Sequence, residues 1–244
     1  NCACYPEAKL FGFNALAAAS PTRPIPTRVL ERGRLEQGPA YGATLTSTDA
    51  QQASDDWPTY RHDNGRSGTT GEPIESKLSE QWNRKLGGRL TAPVIADGTV
   101  YVAQVDEHTL LALQESDGSE KWSYTISARI DSPPTVHRGR VIFGGADGWV
   151  YCLTTDGELA WRYRVAPVNR RTMAFEQLES LWPVHGSVLA VEDEIYCVAG
   201  RSIFIDGGLR MVCLDLQTGK KRFEKIMDDT NPETGNNMQE KLQI

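Results

Sequence analysis

Three stretches of this chain are copies of one another, and any fold it adopts must accommodate that repetition. They are "TAPVIADGTVYVAQVDEHTLLALQESDGSEKW" (91–122), "SPPTVHRGRVIFGGADGWVYCLTTDGELAW" (132–161) and "GSVLAVEDEIYCVAGRSIFIDGGLRMVCLDLQTGKKRF" (186–223). Each runs as a short apolar strand, a turn, an alternating strand, a second turn, a third strand, an Asp/Thr-Gly turn and an aromatic residue. Gly98, Asp106, Gly118 and Trp122 recur as Gly139, Asp147, Gly157 and Trp161, 39 to 41 residues later. Leu214, Gly219 and Phe223 take the equivalent places in the third copy. An all-strand unit of roughly 40 residues with about four strands is the period of a β-propeller blade. A β-sandwich also uses short strands, but it does not repeat its turn chemistry at a fixed interval. The expected fold is therefore all-β, a propeller of four-stranded blades.

Within the first copy the spacing is Ala112-x-Gln114-x-x-Asp117-Gly118-x-x-x-Trp122. The third copy keeps that length with Cys213, Asp215, Thr218, Gly219 and Phe223, and the second is one residue shorter, through Gly157 to Trp161. This pattern resembles the tryptophan-docking motif A-x-D-x-x-T-G-x-x-x-W of quinoprotein-like propellers, the pyrroloquinoline quinone (PQQ) repeat family. The resemblance implies that Ala112, Gly118, Trp122, Gly157, Trp161, Cys213, Gly219 and Phe223 dock neighbouring blades. The physical reason is direct: a flat indole fills the gap between wedge-like sheets, and its N–H finds a carbonyl. The glycine suits a turn that needs a left-handed backbone.

A second stretch, "DWPTYRHDNGRSGTT" (56–70), resembles the W-P-x-x-R-x-D-x-x-R-x-G segment that precedes the first blade in such proteins. Trp82 is then expected to end the outer strand of a blade completed from the other end of the chain. The family closes with roughly seven or eight blades, whereas Asp56 to Ile244 leaves room for about four. Within the family the chain is most similar to uncharacterised bacterial multidomain PQQ-repeat proteins. There, a segment like "CACYPEAKLFGFNAL" links an upstream module to a second propeller. That kinship implies a location in the periplasm or cell envelope, although no charged-then-apolar leader is visible. The chain starts at Asn1 rather than Met and is expected to be a piece of a longer protein.

The first 55 residues have a different texture. "AAASPTRPIPTRVLERGRLEQGPAYGATLTSTDAQQASDD" is rich in Ala, Pro, Ser, Thr and Gly and has no sustained periodicity. It reads as a linker or the tail of an upstream module, with residues 56–244 as the partial propeller.

Composition narrows the function. The net charge is −6 with 24% charged residues, so no concentrated basic face is available for nucleic acid. Arg170-Arg171 and Lys220-Lys221-Arg222 read as solvated turns. No apolar run approaches the ~18 residues of a membrane span. Cys2-x-Cys4 lacks a second pair for zinc, and Cys152 and Cys197 sit in apolar strands as small buried thiols.

The family resemblance implies, under an enzyme reading, a PQQ- and calcium-dependent alcohol or sugar dehydrogenase. Calcium needs several converging oxygens. "DDTNPETGNN", with Asp228, Asp229, Asn231 and Glu233, has its glycine one place too late for a calcium loop and reads as a turn. The adjacent cysteines of the quinone-dependent alcohol dehydrogenases are missing. "GGADG" (144–148) reads as a hairpin rather than a nucleotide loop, and no nucleophile elbow surrounds Ser187 beside His185. His62, His108 and His137 fall in turns. No cofactor is evident, and PQQ and calcium belong only to that alternative.

One region breaks the repeat. "RYRVAPVNRRTMAFEQLESLWPVHG" (162–186) is far longer than the connection between Trp122 and Ser132. The spacing of Met173, Phe175, Leu178 and Leu181 predicts a short helix. Insertions between blades project onto a propeller face, where ligands and partners bind. Arg170, Arg171, Trp182, His185, Arg201 and Asp206 are the candidate binding surface. In the plainer reading the insertion only caps the blade interface, and Arg201 pairs with Asp206. The function expected is a binding or scaffolding module with a protein or small-molecule ligand on the propeller face.

Overall fold

Each copy of the repeat folds into one antiparallel sheet whose strands pair in the order in which they occur. The structure, a computed structural model, describes residues 31–45, 56–71, 73, 76–231 and 233–236. Cys2, Cys4 and the stretch "CACYPEAKLFGFNAL" lie outside the described residues. A short strand, β1 (Leu35–Gln37), comes first. Blade 1 is β2 (Val94–Ala96), β3 (Thr99–Gln104), β4 (Thr109–Gln114) and β5 (Glu120–Thr125). Blade 2 is β6 (Thr135–His137), β7 (Arg140–Gly144), β8 (Trp149–Thr154) and β9 (Leu159–Arg164). A hairpin follows, β10 (Arg171–Ala174) and β11 (Gln177–Ser180), and then blade 3. Blade 3 is β12 (Leu189–Val191), β13 (Glu194–Ala199), β14 (Leu209–Asp215) and β15 (Lys221–Met227). The described residues thus complete three blades. The length counted for a fourth is divided between the segment ahead of β2 and the hairpin.

The middle strands of blades 1 and 2 are apolar and covered on both faces, whereas β13 of blade 3 is buried on one face and partly exposed on the other. β3 and β4 are buried almost throughout, whereas the outer strand β5 alternates between exposed and half-buried. Asp97-Gly98 and Arg138-Gly139 close the first hairpins of blades 1 and 2 with positive φ at both residues, the turn whose twist matches the strands. A bulge follows Ala112, Cys152 and Cys213 at the same place in each blade. These three small residues lie directly across from Trp122, Trp161 and Phe223, which explains why the position takes Ala or Cys.

The indoles of Trp82, Trp122 and Trp161 are each received by the glycine turn of the following blade. Trp82 donates to the Glu115 carbonyl (2.6 Å), Trp122 to Thr155 (2.8 Å) and Trp161 to Leu216 (3.0 Å). Their rings lie against Gly118, Gly157 and Gly219 respectively. Trp82 therefore seals blade 1 from an irregular segment rather than from a strand. Phe223 is 45% exposed, with a tilted contact to Tyr196 as its ring partner. The glycine is needed twice over. At Gly157 φ is +85°, and a Cβ would lie 2.6 Å from Cδ2 of Trp122. Gly157→Ala is expected to cost more than the ~1–2 kcal/mol of the left-handed backbone alone, checked by urea unfolding. A cost near zero would mean that the Trp122 ring does not rest there.

The lead-in segment crosses the inner ends of all three blades. Trp57 exchanges backbone hydrogen bonds with Ile95 on β2, and the Pro58 carbonyl accepts from Val136 on β6. The Thr59 and Thr135 hydroxyls are 2.9 Å apart, and Asn64 donates to the Ala190 carbonyl on β12. Pro58 and Thr59 are buried, so this stretch packs against the inner strands β2, β6 and β12.

The helix expected over "TMAFEQLESLW" is not formed; the segment is the β10–β11 hairpin. Phe175 and Glu176 form its tip with φ of +51° and +63°, and Met173 pairs with Leu178. So short a helix has little stability of its own. The hairpin instead gains buried anchors at Glu179, Ser180 and Trp182.

Candidate functional site

Loops from three blades meet under the hairpin. The β5–β6 connection supplies Arg129 and Asp131, β11 supplies Glu179, and the β13–β14 loop supplies Arg201. Glu179 is fully buried and forms ion pairs with both Arg129 and Arg201. Arg129 also pairs with Asp131 (3.2 Å), and its guanidinium lies 4.6 Å from the centre of the Phe175 ring. Arg201 donates further to the carbonyls of Leu181 (3.0 Å) and Ser180 (3.1 Å). Two cations around one carboxylate satisfy a charge that burial alone would forbid. Burial works against the Asp131 carboxylate too, yet hydrogen bonds and charge from His185 and Arg129 outweigh it and hold its pKa below the usual range.

The "GGADG" turn is the seat of this insertion. Ala146 donates to the Arg129 carbonyl, Ser180 to Ala146 and Val184 to Gly145. Gly148 (φ +85°) has no room for a side chain against Ala166, Ser180 and Trp182. At the other end Gln177 reaches blade 1, 2.7 Å from His108 and 3.3 Å from Asp106. The hairpin is thus tied to blades 1, 2 and 3 at once.

The six candidate residues separate into two groups. Trp182 has no exposed surface and donates its indole N–H to the Asp206 carbonyl (3.0 Å). It therefore offers a partner no contact area, which corrects its place in the expected surface. Its burial leaves no mark in the sequence because it lies outside the repeat. Arg201 pairs with Glu179 and not with Asp206, whose carboxyl is raised by burial despite the nearby Arg201 charge. Arg170 sits half-buried at the hairpin base, its carbonyl accepting from Leu181. Arg171 is exposed and reaches the Ser127 hydroxyl (3.3 Å), and His185 is part-exposed with Nδ1 2.5 Å from Asp131. Arg89, Arg129, Asp131, Phe175 and His185 line a shallow cleft of about 210 Å³.

What sequence reasoning missed is the surface on the hairpin itself. Met173, Phe175 and Leu178 are 46%, 50% and 49% exposed, three apolar side chains on one projecting element. Their spacing, with that of Leu181, suits a short helix and does not report an exposed patch. Arg129 and Glu179 left no trace in the sequence, since single charges near turns are ordinarily solvated.

This face is poorly matched to calcium and a quinone. Asp131 and Glu179 are taken by cations, and Asp147 accepts from Ser127 (2.8 Å) and Tyr151 (2.6 Å). Among the described residues no group of three or more His, Cys, Asp or Glu side chains is placed to hold a metal ion. In the turn after β15, Asp228 and Asn231 accept from the backbone N–H groups of Thr230, Glu233 and Thr234, capping their own loop. Cys152, Cys197 and Cys213 are free and buried, and burial raises each thiol.

Comparison with known proteins places these features in a group. A family model described as PQQ_2, outer membrane protein assembly factor BamB, matches residues 61–241. The outer membrane protein assembly factor BamB of Burkholderia pseudomallei is 33% identical over 153 residues, which cover 61% of this chain and 35% of that protein. Its counterpart in Yersinia pestis is 29% identical over 157 residues, 62% of this chain and 37% of the relative. The chain thus spans little more than a third of the length of the curated relatives it matches. Among solved structures, the quinohemoprotein alcohol dehydrogenase of Comamonas testosteroni superposes with a TM-score of 0.58 at 16% identity. That match covers 76% of this chain and 29% of the enzyme, a likeness of fold alone.

Proposed function

This chain belongs to the family described as PQQ_2, outer membrane protein assembly factor BamB, and from that premise we propose that it is a protein-binding scaffold of the bacterial envelope. Its partner is a protein engaged in outer membrane protein assembly, the process named for its relatives. The contact surface is the β10–β11 hairpin. One observation carries this reading: Met173, Phe175 and Leu178 stay exposed on an element held by the buried Arg129–Glu179–Arg201 network. Apolar side chains on a rigid platform lose little conformational entropy when a partner covers them, which favours binding. Arg171 and His185 border the patch and supply polar contacts at its rim.

The test is a triple replacement, Met173→Ser, Phe175→Ser and Leu178→Ser, in the whole protein in its native bacterium. Because all three side chains are half in water, the melting temperature should hardly move. Co-purification of the partner and the level of folded outer membrane proteins should both fall, binding by at least about tenfold. Unchanged binding with an unchanged melting temperature would overturn the proposal. The oxidoreductase reading has its own arm: whole protein given PQQ and calcium is expected to show no dye-linked alcohol or sugar oxidation. Turnover there would restore it.

A further inference from the structure

The outer edge of blade 2 carries a fifth strand that lies outside the region matching the family. β1 pairs antiparallel with β9, with Leu35 opposite Tyr163, Glu36 opposite Arg162 and Gln37 opposite Trp161. Outer strands of propeller blades present unpaired N–H and C=O groups, and here a segment from earlier in the chain satisfies them. Among the described residues β5 and β15 receive no such addition. Something about this rim, beyond a free strand edge, selects the segment.

Arg34 supplies the selectivity. Its side chain is completely buried in the seam between blades 2 and 3. It donates from Nε to the Arg164 carbonyl (2.9 Å) and from Nη2 to the Val165 carbonyl (3.0 Å), both on blade 2. Nη1 meets the Glu224 carboxylate of blade 3 at 2.7 Å, and the guanidinium stacks 4.9 Å over Tyr163. A planar fork that donates to two carbonyls and a carboxylate at once is a task for arginine, not lysine. Glu224 is also held by Arg210 (3.1 Å) and Lys221 (3.0 Å), so the pocket is preformed around an anion.

The rest of the segment fits as closely. Gly38 donates to the Ala160 carbonyl (2.9 Å), and a Cβ there would collide with the Leu159 backbone. The Ala43 carbonyl accepts from Gln217 on blade 3 (2.9 Å) and from Arg140 on blade 2. The repeat also explains why, among the described residues, no segment is added along β5 at the neighbouring seam. Glu224 follows Phe223 as Arg162 follows Trp161, so the seam between blades 1 and 2 offers a cation where this one offers an anion. An arginine there would find the Arg162 guanidinium, paired with Glu36 (2.6 Å), in place of a carboxylate acceptor.

We propose that the seam between the outer strands of blades 2 and 3 is a recognition site for an extended peptide bearing a buried arginine and, four residues on, a glycine. In this chain residues 31–43 occupy it in cis. The site holds its peptide by its own contacts, and the covalent link through residues 46–55 is dispensable.

The experiment inserts a protease recognition sequence within residues 46–55 of the full chain and cleaves it. The fragment carrying residues 31–45 is expected to stay bound through gel filtration. Arg34→Ala and Gly38→Leu should each release it, with affinity lowered at least about a hundredfold for Arg34→Ala, since a buried charge pair is broken. A fluorescent synthetic peptide of residues 31–45 should then bind the vacated, cleaved Arg34→Ala protein, which establishes that the seam is still folded. Glu224→Gln in the blade should abolish that binding. Release of the wild-type fragment on cleavage overturns the proposal, as does full retention by Arg34→Ala or failure of the wild-type peptide to rebind.

Discussion

Replacing Trp161 with alanine is expected to lower the unfolding free energy by about 3–5 kcal/mol, the cost of deleting a large core aromatic. The ring has no exposed surface, its N–H reaches Leu216, and Gly219 lies flat against it. Deletion therefore opens a void between blades 2 and 3 and leaves a buried carbonyl unpaired. Trp122, by contrast, is only half-buried, so its alanine variant is expected to lose about 1.5–3 kcal/mol. The repeat alone assigns the two tryptophans equal weight; burial separates them. Trp161→Phe keeps most of the packing and forfeits the Leu216 hydrogen bond, at about 1–3 kcal/mol. Urea unfolding of the three variants checks the order. A loss under about 1 kcal/mol at Trp161 would refute the seal.

The second large effect is at Glu179. Its alanine variant is expected to cost about 3–5 kcal/mol, because losing the shared buried carboxylate leaves Arg129 with Asp131 alone and strips Arg201 of its ion-pair partner. Arg129 and Arg201, with side-chain exposures of 1% and 16%, would then lack the carboxylate that lies between them. Glu179→Gln preserves the shape and one acceptor and should fall between wild type and alanine. This variant also separates scaffold from surface. Glu179→Ala should lower both the melting temperature and partner binding, whereas the triple Met173, Phe175 and Leu178 replacement should lower binding alone. If Glu179→Ala leaves the hairpin protected from proteolysis and stability unchanged, the ionic group is not what seats it.

The blades were legible because their determinants are local. Asp97-Gly98 and Arg138-Gly139 encode a turn by backbone preference, and Ala112, Cys152 and Cys213 are small because an aromatic lies across the ladder. Those constraints act within a few residues or at a fixed repeat distance, so they leave a periodic record. The hairpin was misread for the converse reason. Met173, Phe175 and Leu178 are compatible with helix spacing, and only the anchors at Glu179, Ser180 and Trp182 decide in favour of strands. Trp182 was placed on the surface because sequence reports the type of a side chain and not its burial.

By itself, then, the sequence determined the strand-turn unit, its period and the place of Trp122 and Trp161 against the next unit, whereas Phe223 stays 45% exposed. The tertiary structure alone decided which charges are buried, which apolar side chains are left in water and where residues 34–43 are held. Arg34 meets Glu224 across 190 positions of chain, and Arg129 meets Glu179 across 50. Pairings at such separations carry no period. They exist only because adjacent blades bring their outer strands and loops within hydrogen-bonding distance, where the low dielectric makes a matched charge favourable and an unmatched one costly.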